Sequence, residues 1–176
     1  MNVHATPIAG VFILDAPMNR DERGGFQRLF CMETLKKSGV AFPVIQANLS
    51  TNAKAGTLRG VHYQDAPKPD PKIVRCLKGR MFDVAVDIRQ GSPTFRQWVG
   101  IELTPEKGNA LVIPGGCAHG FVTLEDNTEI LYLMGEAYAG ELARGVRWND
   151  PAFKIAWPMQ PAVIAERDAN YPDFTG

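Results

Sequence analysis

The stretch Phe82-Asp83-Val84-Ala85-Val86-Asp87-Ile88 decides the fold class. Phe82, Val84, Val86 and Ile88 recur at every second position, and Asp83, Ala85 and Asp87 occupy the positions between. Side chains of a strand point alternately to two faces, so this pattern predicts a strand between two different environments. Outward from it, similar short runs occur at Val11–Asp15, Val44–Ser50, Thr57–Gln64, Lys72–Leu77, Trp98–Thr104, Ala110–Ile113, Gly120–Leu124 and Thr128–Met134. Turn formers separate them: Lys78-Gly79, Gln90-Gly91-Ser92-Pro93, Lys107-Gly108-Asn109, Pro114-Gly115-Gly116 and Asp126-Asn127. The spacing predicts one helix over Met32–Ser38, closed by Gly39, and a short helical turn around Ala165–Ala169. Many short strands with little helix between them indicate an all-β antiparallel sandwich or barrel. Such a barrel either fills its interior with side chains or keeps a ligand cavity. Gln46, Asn48 and Ser50 alternate along one strand, and this polar row faces either solvent or such a cavity.

The chain has 176 residues and a mass of 19.3 kDa, the size of one domain, so residues 1–176 are read as a single unit. At this mass the folded surface is expected to be about 8,500 Å², and no disulfide or structural metal is needed for a sufficient core. Nineteen Lys and Arg balance nineteen Asp and Glu. Zero net charge argues against a nucleic-acid or membrane-surface binder and leaves room for a small anionic ligand held by a few guanidinium groups. Cys31, Cys76 and Cys117 are odd in number and widely spaced, which predicts free thiols in a reducing compartment. Met1–Pro17 lacks a basic n-region, and Val11–Leu14 is too short for a signal or membrane span. A cytoplasmic protein is expected, with His4 in a loose terminus.

Two further histidines lie in strand-like segments, His62 in Arg59-Gly60-Val61-His62-Tyr63-Gln64 and His119 in Pro114-Gly115-Gly116-Cys117-Ala118-His119-Gly120-Phe121. The second segment has the Pro-x-Gly-x-x-His form of metal-dependent cupin barrels. The first offers one histidine, with Gln64 where a further ligand would stand. Two imidazoles without a carboxylate are a poor divalent site, so the barrel resembles a cupin but no metal is expected. Acid–base chemistry then falls to side chains. Imidazole in general titrates near neutrality, which makes His62 the natural candidate base. It needs a carboxylate to fix its tautomer, and Asp83, Asp87 and Asp168 are all candidates. Lys72 could face an oxyanion, and Tyr132, in an apolar strand, could donate a proton.

Eight segments extend this picture in order: Asp21-Glu22-Arg23-Gly24, Gln46-Ala47-Asn48-Leu49-Ser50, Leu58 to Gln64, Lys72 to Cys76, Phe82 to Arg89, Gly91 to Phe95, Pro114 to Phe121 and Arg147-Trp148-Asn149-Asp150-Pro151. Together they resemble the dTDP-4-dehydrorhamnose 3,5-epimerase family, the cofactor-free cupins of deoxysugar biosynthesis, over about residues 8–170. The resemblance implies a cupin-type jelly roll with short peripheral helices. It also implies inversion of C3 and C5 of a nucleotide-linked 4-keto-6-deoxyhexose through an enolate. It places the base on His62, its carboxylate on Asp168, the enolate-stabilising cation on Lys72 and the opposite-face acid on Tyr132. It assigns substrate binding to Arg23, Phe26, Gln46, Asn48, Arg59, His119 and Tyr138. A homodimer whose subunits exchange strands and complete each other's sites is the implied assembly.

Two positions depart from the family pattern. Arg28 stands where a glutamate commonly helps hold the nucleotide end, and Ala143 replaces a second glutamate. A carboxylate accepts hydrogen bonds whereas a guanidinium only donates them, so the base preference is open at this stage. Also open are inversion at a single centre and a non-catalytic sugar-nucleotide-binding or metal-dependent cupin.

Overall fold

The computed structural model describes residues 1–176. Along the chain, β1 (Asn2–Ala5), β2 (Phe12–Asp15), β3 (Asn19–Asp21) and β4 (Gly24–Phe26) precede helix α1 (Met32–Lys37). Then come β5 (Gln46–Asn52), β6 (Thr57–Gln64), β7 (Lys72–Lys78), β8 (Met81–Asp87) and β9 (Trp98–Leu103). The chain continues with β10 (Asn109–Ile113), β11 (Cys117–Thr123), β12 (Thr128–Met134), β13 (Ala143–Gly145), β14 (Val163–Ile164) and α2 (Glu166–Ala169). Every strand expected from the alternation is present within a few residues of its expected limits, as are both helical segments.

The strands build two facing sheets. One has the order β1-β2-β10-β7-β12-β5, and the other β13-β6-β11-β8-β9 with β14 alongside β6. The sequence of neighbours, jumping between distant strands, is that of a jelly-roll sandwich. The two faces of β8 explain its alternating pattern. Ala85 and Met81 point between the sheets, where they meet Val74, Cys76, Leu111, Ile113, Cys117, Phe121 and Ile130. Val84 and Val86 point the other way, into a second cluster with Val61, Ala118, Val146 and Phe153, capped by Trp98, Trp157 and Phe174. The tail after β13 therefore covers the outer face of the second sheet. On the first sheet, Ile73, Ala110 and Val112 pack against Leu35 of α1, Val40 and Phe42. The folded surface is 8997 Å², close to the area expected from mass.

The N-terminus departs from expectation. Residues 2–5 pair antiparallel with β2, and His4 Nε2 lies 2.8 Å from Asp15 Oδ2 across that pair. His4 is thus tied into the sheet edge rather than loose. The β3–β4 hairpin, which turns at Glu22-Arg23 and whose strands lack an apolar alternation, lies beyond the strands expected. All three cysteines are free thiols, with Cys76 and Cys117 buried. Burial pushes both of these thiols up to about 12. No helix is long and apolar enough to cross a membrane.

Asp87, at the end of β8, organises the following loop. Its buried carboxylate accepts from Arg89 Nε at 2.8 Å and Nη2 at 2.9 Å, from Ser92 Oγ at 2.5 Å and from Thr94 Oγ1 at 2.6 Å. Burial alone would raise its pKa, but these donors outweigh burial and hold the carboxyl well below the usual carboxylate range. A depressed carboxyl stabilises the fold fully above its unfolded value near 3.8, and that contribution is lost as pH falls toward the folded value. Asp87→Ala is expected to cost about 2–4 kcal/mol at pH 7, because it takes the shared carboxylate acceptor away from a guanidinium and two hydroxyls. Thermal unfolding across pH checks this: the gap between parent and variant should narrow below about pH 4.

Candidate active site

One end of the space between the sheets is not filled with apolar side chains. A cavity of about 620 Å³ opens there. Its depth comes from strands of both sheets. On β7 the alternation points Lys72 inward together with Val74 and Cys76, and on β12 it points Tyr132 inward beside Ile130. Across β12, Asn48 of β5 opposes Tyr132 and Ser50 opposes Ile130, so the polar row predicted on that strand turns toward the cavity.

The second wall depends on an irregularity. On β6 and β11, His62 opposes His119, while Arg59 opposes Phe121. Three steps on β6 are thus matched by two on β11, which is a β-bulge. Residues three apart on a regular strand face opposite sides. The extra residue brings Arg59 and His62 into the same cavity. Gly60 makes this possible: its φ is +131°, and a Cβ there would lie 2.5 Å from the Cα of Gly120. Only glycine permits that conformation and that approach.

Within the cavity the ionisable groups are paired. His62 Nε2 lies 2.8 Å from Asp168 Oδ1, and the Gly60 N–H donates to Asp168 Oδ2 at 3.1 Å. The Asp168 side chain is 3% exposed, that of His62 34%. Burial would raise the Asp168 carboxyl, but the His62 hydrogen bond and charge outweigh it and hold the carboxyl below its ordinary value. With Nε2 committed to Asp168, Nδ1 is the nitrogen left for a substrate. Lys72 Nζ sits 2.9 Å from Asp70 Oδ2 and is almost fully buried. Tyr132 has no hydrogen-bond partner for its hydroxyl within the protein. Burial first, and the Asp83 charge second, push its phenol far above the ordinary value. His119 Nε2 lies 2.6 Å from Asp83 Oδ1, and the rings of His119 and Tyr132 meet edge to face at 5.8 Å.

Of the residues singled out from sequence, His62, Lys72, Tyr132, Asp168, Asn48, Arg59 and His119 line this cavity. Gln46 stands one hydrogen bond away, its Nε2 donating to Asn48 Oδ1 at 3.1 Å. Arg23, Phe26 and Tyr138 are not brought to it. Arg23 pairs with Asp21 on the β3–β4 hairpin, and Phe26 and Tyr138 are each 73% exposed. The three candidate partners for His62 are also resolved. Asp168 pairs with it, Asp83 pairs with His119, and Asp87 holds its own loop. Gln64, at the position where a metal cupin has a ligand, joins two loops. Its amide bonds to Lys68 O, Ala137 O and Ala139 N at 2.6, 3.0 and 2.8 Å. No group of three or more His, Cys, Asp or Glu side chains converges as a metal site.

Two charged cavity residues escaped sequence reading. Asp70 fixes Lys72, and Arg167 reaches within 3.4 Å of both His62 Nε2 and Asp168 Oδ1. The signals were faint. Asp70 lies two residues before Lys72, a spacing that shares one strand face, and Arg167 adjoins Asp168.

The arrangement brings an imidazole with its carboxylate, a buried ammonium and a phenol around one hollow. The family model described as dTDP-4-dehydrorhamnose 3,5-epimerase matches residues 5–176. The chain belongs to the dTDP-4-dehydrorhamnose 3,5-epimerase family. It is 41% identical to the dTDP-4-dehydrorhamnose 3,5-epimerase of Shigella flexneri over 175 residues, 99% of this chain and 96% of that one. Among solved structures, this epimerase is similar to the dTDP-6-deoxy-D-glucose-3,5-epimerase of Legionella pneumophila in complex with dTDP-4-keto-L-rhamnose. That match has a TM-score of 0.90 and 37% identity, over 96% of this chain and 89% of the other. It is also similar to a 3'-monoepimerase from Streptomyces bikiniensis in complex with dTDP-quinovose, with a TM-score of 0.90 and 33% identity over 97% and 86%. The fold of this epimerase is accordingly the cupin-type jelly roll, and by reaction class the enzyme is an isomerase.

Proposed function

We propose that residues 1–176 act as one epimerase domain that inverts C3 and C5 of a dTDP-linked 4-keto-6-deoxyhexose. The observation that carries this reading is the convergence of the His62–Asp168 pair, Lys72 and Tyr132 on one cavity. A ketone at C4 acidifies the C–H bonds on both sides of it. His62 removes one of these protons, and Asp168 steadies the imidazolium that results. Negative charge then develops on the C4 oxygen, where the buried Lys72 ammonium is suited to hold it. A preorganised donor of this kind contributes about 3–4 kcal/mol. Tyr132 returns a proton from the opposite face, which inverts the carbon. Arg59 is placed to hold a phosphate of the diphosphate, since its Nε is fixed by Asn52 Oδ1 at 2.9 Å. Asn48 and His119 serve as cavity-lining polar contacts.

A second reading, inversion at one carbon only, is favoured by the monoepimerase relative, which shares the fold at nearly the same similarity. Proton NMR of the sugar in heavy water separates the two. With dTDP-4-keto-6-deoxyglucose, the first reading expects deuterium at both C3 and C5, and the second at one of them. No label at either carbon would end both. CDP- and GDP-linked sugars in the same assay test the base preference that Arg28 and Ala143 put in question.

The assembly is part of the proposal. Arg23 and Phe26 project on an exposed hairpin, and β5 is an outer strand that leaves its Leu49 and the preceding Ile45 more than half exposed. These features fit a homodimer in which the hairpin of one subunit supplies Arg23 and Phe26 to the cavity of the other. Sedimentation at twice the chain mass of 19.3 kDa is the expected result, and a monomer at working concentration would remove this part. Three free thiols fit a reducing compartment, and the cytoplasm is the proposed location.

A further inference from the structure

At the cavity wall His119 is backed by Asp83, a carboxylate that the mechanism above leaves without a task. Asp83 is fully buried, 36 residues from His119 in sequence and bonded to it through Oδ1. Its other oxygen, Oδ2, is the one buried side-chain polar atom in the protein with no hydrogen-bond partner. An orphaned carboxylate oxygen in the interior is costly, and a native structure that keeps one calls for a reason. Charge gives a first clue. With an ionised Asp83 and a neutral imidazole, the pair would bear a full negative charge in the interior. One extra proton shared between them makes the pair neutral, the cheaper state out of water. Burial raises the Asp83 carboxyl, in the same direction. The nearby Lys72 ammonium does not supply the missing neutrality alone, because it is bonded to Asp70.

The second clue is the proton count of the reaction. Each inversion breaks a C–H bond toward His62 and makes a C–H bond from the Tyr132 hydroxyl. The sugar gains and loses one proton, but the site is left with an imidazolium and a phenolate. A second inversion cannot begin until both are reset. His62 can pass its proton to water through its exposed side. Tyr132 is half-buried on the cavity wall, edge to face with His119 at 5.8 Å, so with a sugar seated over it the nearest store of protons is the pair beside it.

We propose that Asp83 and His119 keep a proton in reserve and return it to Tyr132 between the first inversion and the second. The N–H of the His119 imidazolium breaks, the phenol O–H re-forms, and Asp83 stays in place as the carboxylate that made the imidazolium stable. Transfer runs across the cavity that both rings line, through a water or a sugar hydroxyl. The pair refills from water when product leaves. Burial and the Asp83 charge raise the phenol, which favours return of a proton to its oxygen. Asp83 is a positioning residue in this scheme and acts through His119.

The inference rests on the functional reading, and the test keeps the two apart. Wild-type labelling in heavy water judges the reading by itself. The reserve is judged by the ratio of second-inversion to first-inversion rate, with enzyme in excess over dTDP-4-keto-6-deoxyglucose and epimers resolved by NMR after quenching. Asp83→Asn keeps the shape and the acceptor for His119 but loses the charge. His119→Gln removes the imidazole. Relative to wild type, that ratio is expected to fall about tenfold or more in each variant, with the singly inverted sugar accumulating. A ratio equal to that of wild type, whether both steps slow together or neither does, would show a structural role and overturn the inference. If wild type labels one carbon only, the two-centre reading fails. The same variants are then judged on later turnovers against the first, with the same expectation. Either variant that folds, as seen by thermal unfolding, is sufficient.

Discussion

His62→Ala should abolish deuterium incorporation at C3 and C5 together. The loss expected from removing a positioned base is about 10²–10⁴-fold. The physical reason is that the cavity contains one imidazole at its open side, 34% exposed and oriented by a buried carboxylate. The other imidazole, His119, is almost completely enclosed and engaged by Asp83. In the variant, Asp168 would retain the Gly60 N–H and Arg167 as partners, so the carboxylate is not left bare. Heavy-water NMR, with thermal unfolding as a control for folding, provides the measurement. Exchange at the parental rate would show that the base lies elsewhere. Exchange surviving at one carbon would assign that carbon to His119.

Tyr132→Phe should separate two events that are joined in the parent enzyme. Proton abstraction needs His62 and Lys72, both untouched. Inversion needs a donor on the opposite face, and phenylalanine has none. The enolate can then be reprotonated only by His62, from the side it left, with a proton that has meanwhile exchanged with solvent. Deuterium is therefore expected in sugar of unchanged configuration, while epimerised product falls by about 10²–10⁴-fold. The ring fills the same volume and contacts His119 edge to face at 5.8 Å in the parent, so the packing cost is small. Undiminished epimer would move the acid role to another group. Tyr138 would be next in line, although it is largely exposed in the single chain.

Together these results would also bear on the pairing of roles with places. Base and acid must act from opposite faces of one sugar ring. The structure puts His62 on β6 of one sheet and Tyr132 on β12 of the other, with the cavity between them. A two-sheet sandwich is thus well suited to an inversion: each sheet can present one proton-transfer group to a flat ligand held between them.

Alternation along Phe82–Ile88 and its neighbours was enough to establish an all-β sandwich, because side-chain direction in a strand is a local property with a period of two. Residue type made Lys72 and Tyr132 candidates, and the ordered motifs pointed to the family. Residue chemistry left Asp83, Asp87 and Asp168 open as the partner of His62, the resemblance named Asp168, and only the tertiary structure showed how that pair meets and that Asp83 belongs to His119. His62 and Asp168 are 106 residues apart and His119 and Asp83 are 36 apart, so both pairings follow from strand register and from where α2 docks, not from spacing. Register also produced the bulge at Gly60 that turns Arg59 and His62 to one side, against the local period. The same holds for His4, which is held by a cross-strand carboxylate that no local pattern reveals. Local periodicity is written in neighbouring residues, whereas the meeting of distant side chains depends on how whole sheets align. The chemistry of this site belongs to the second kind.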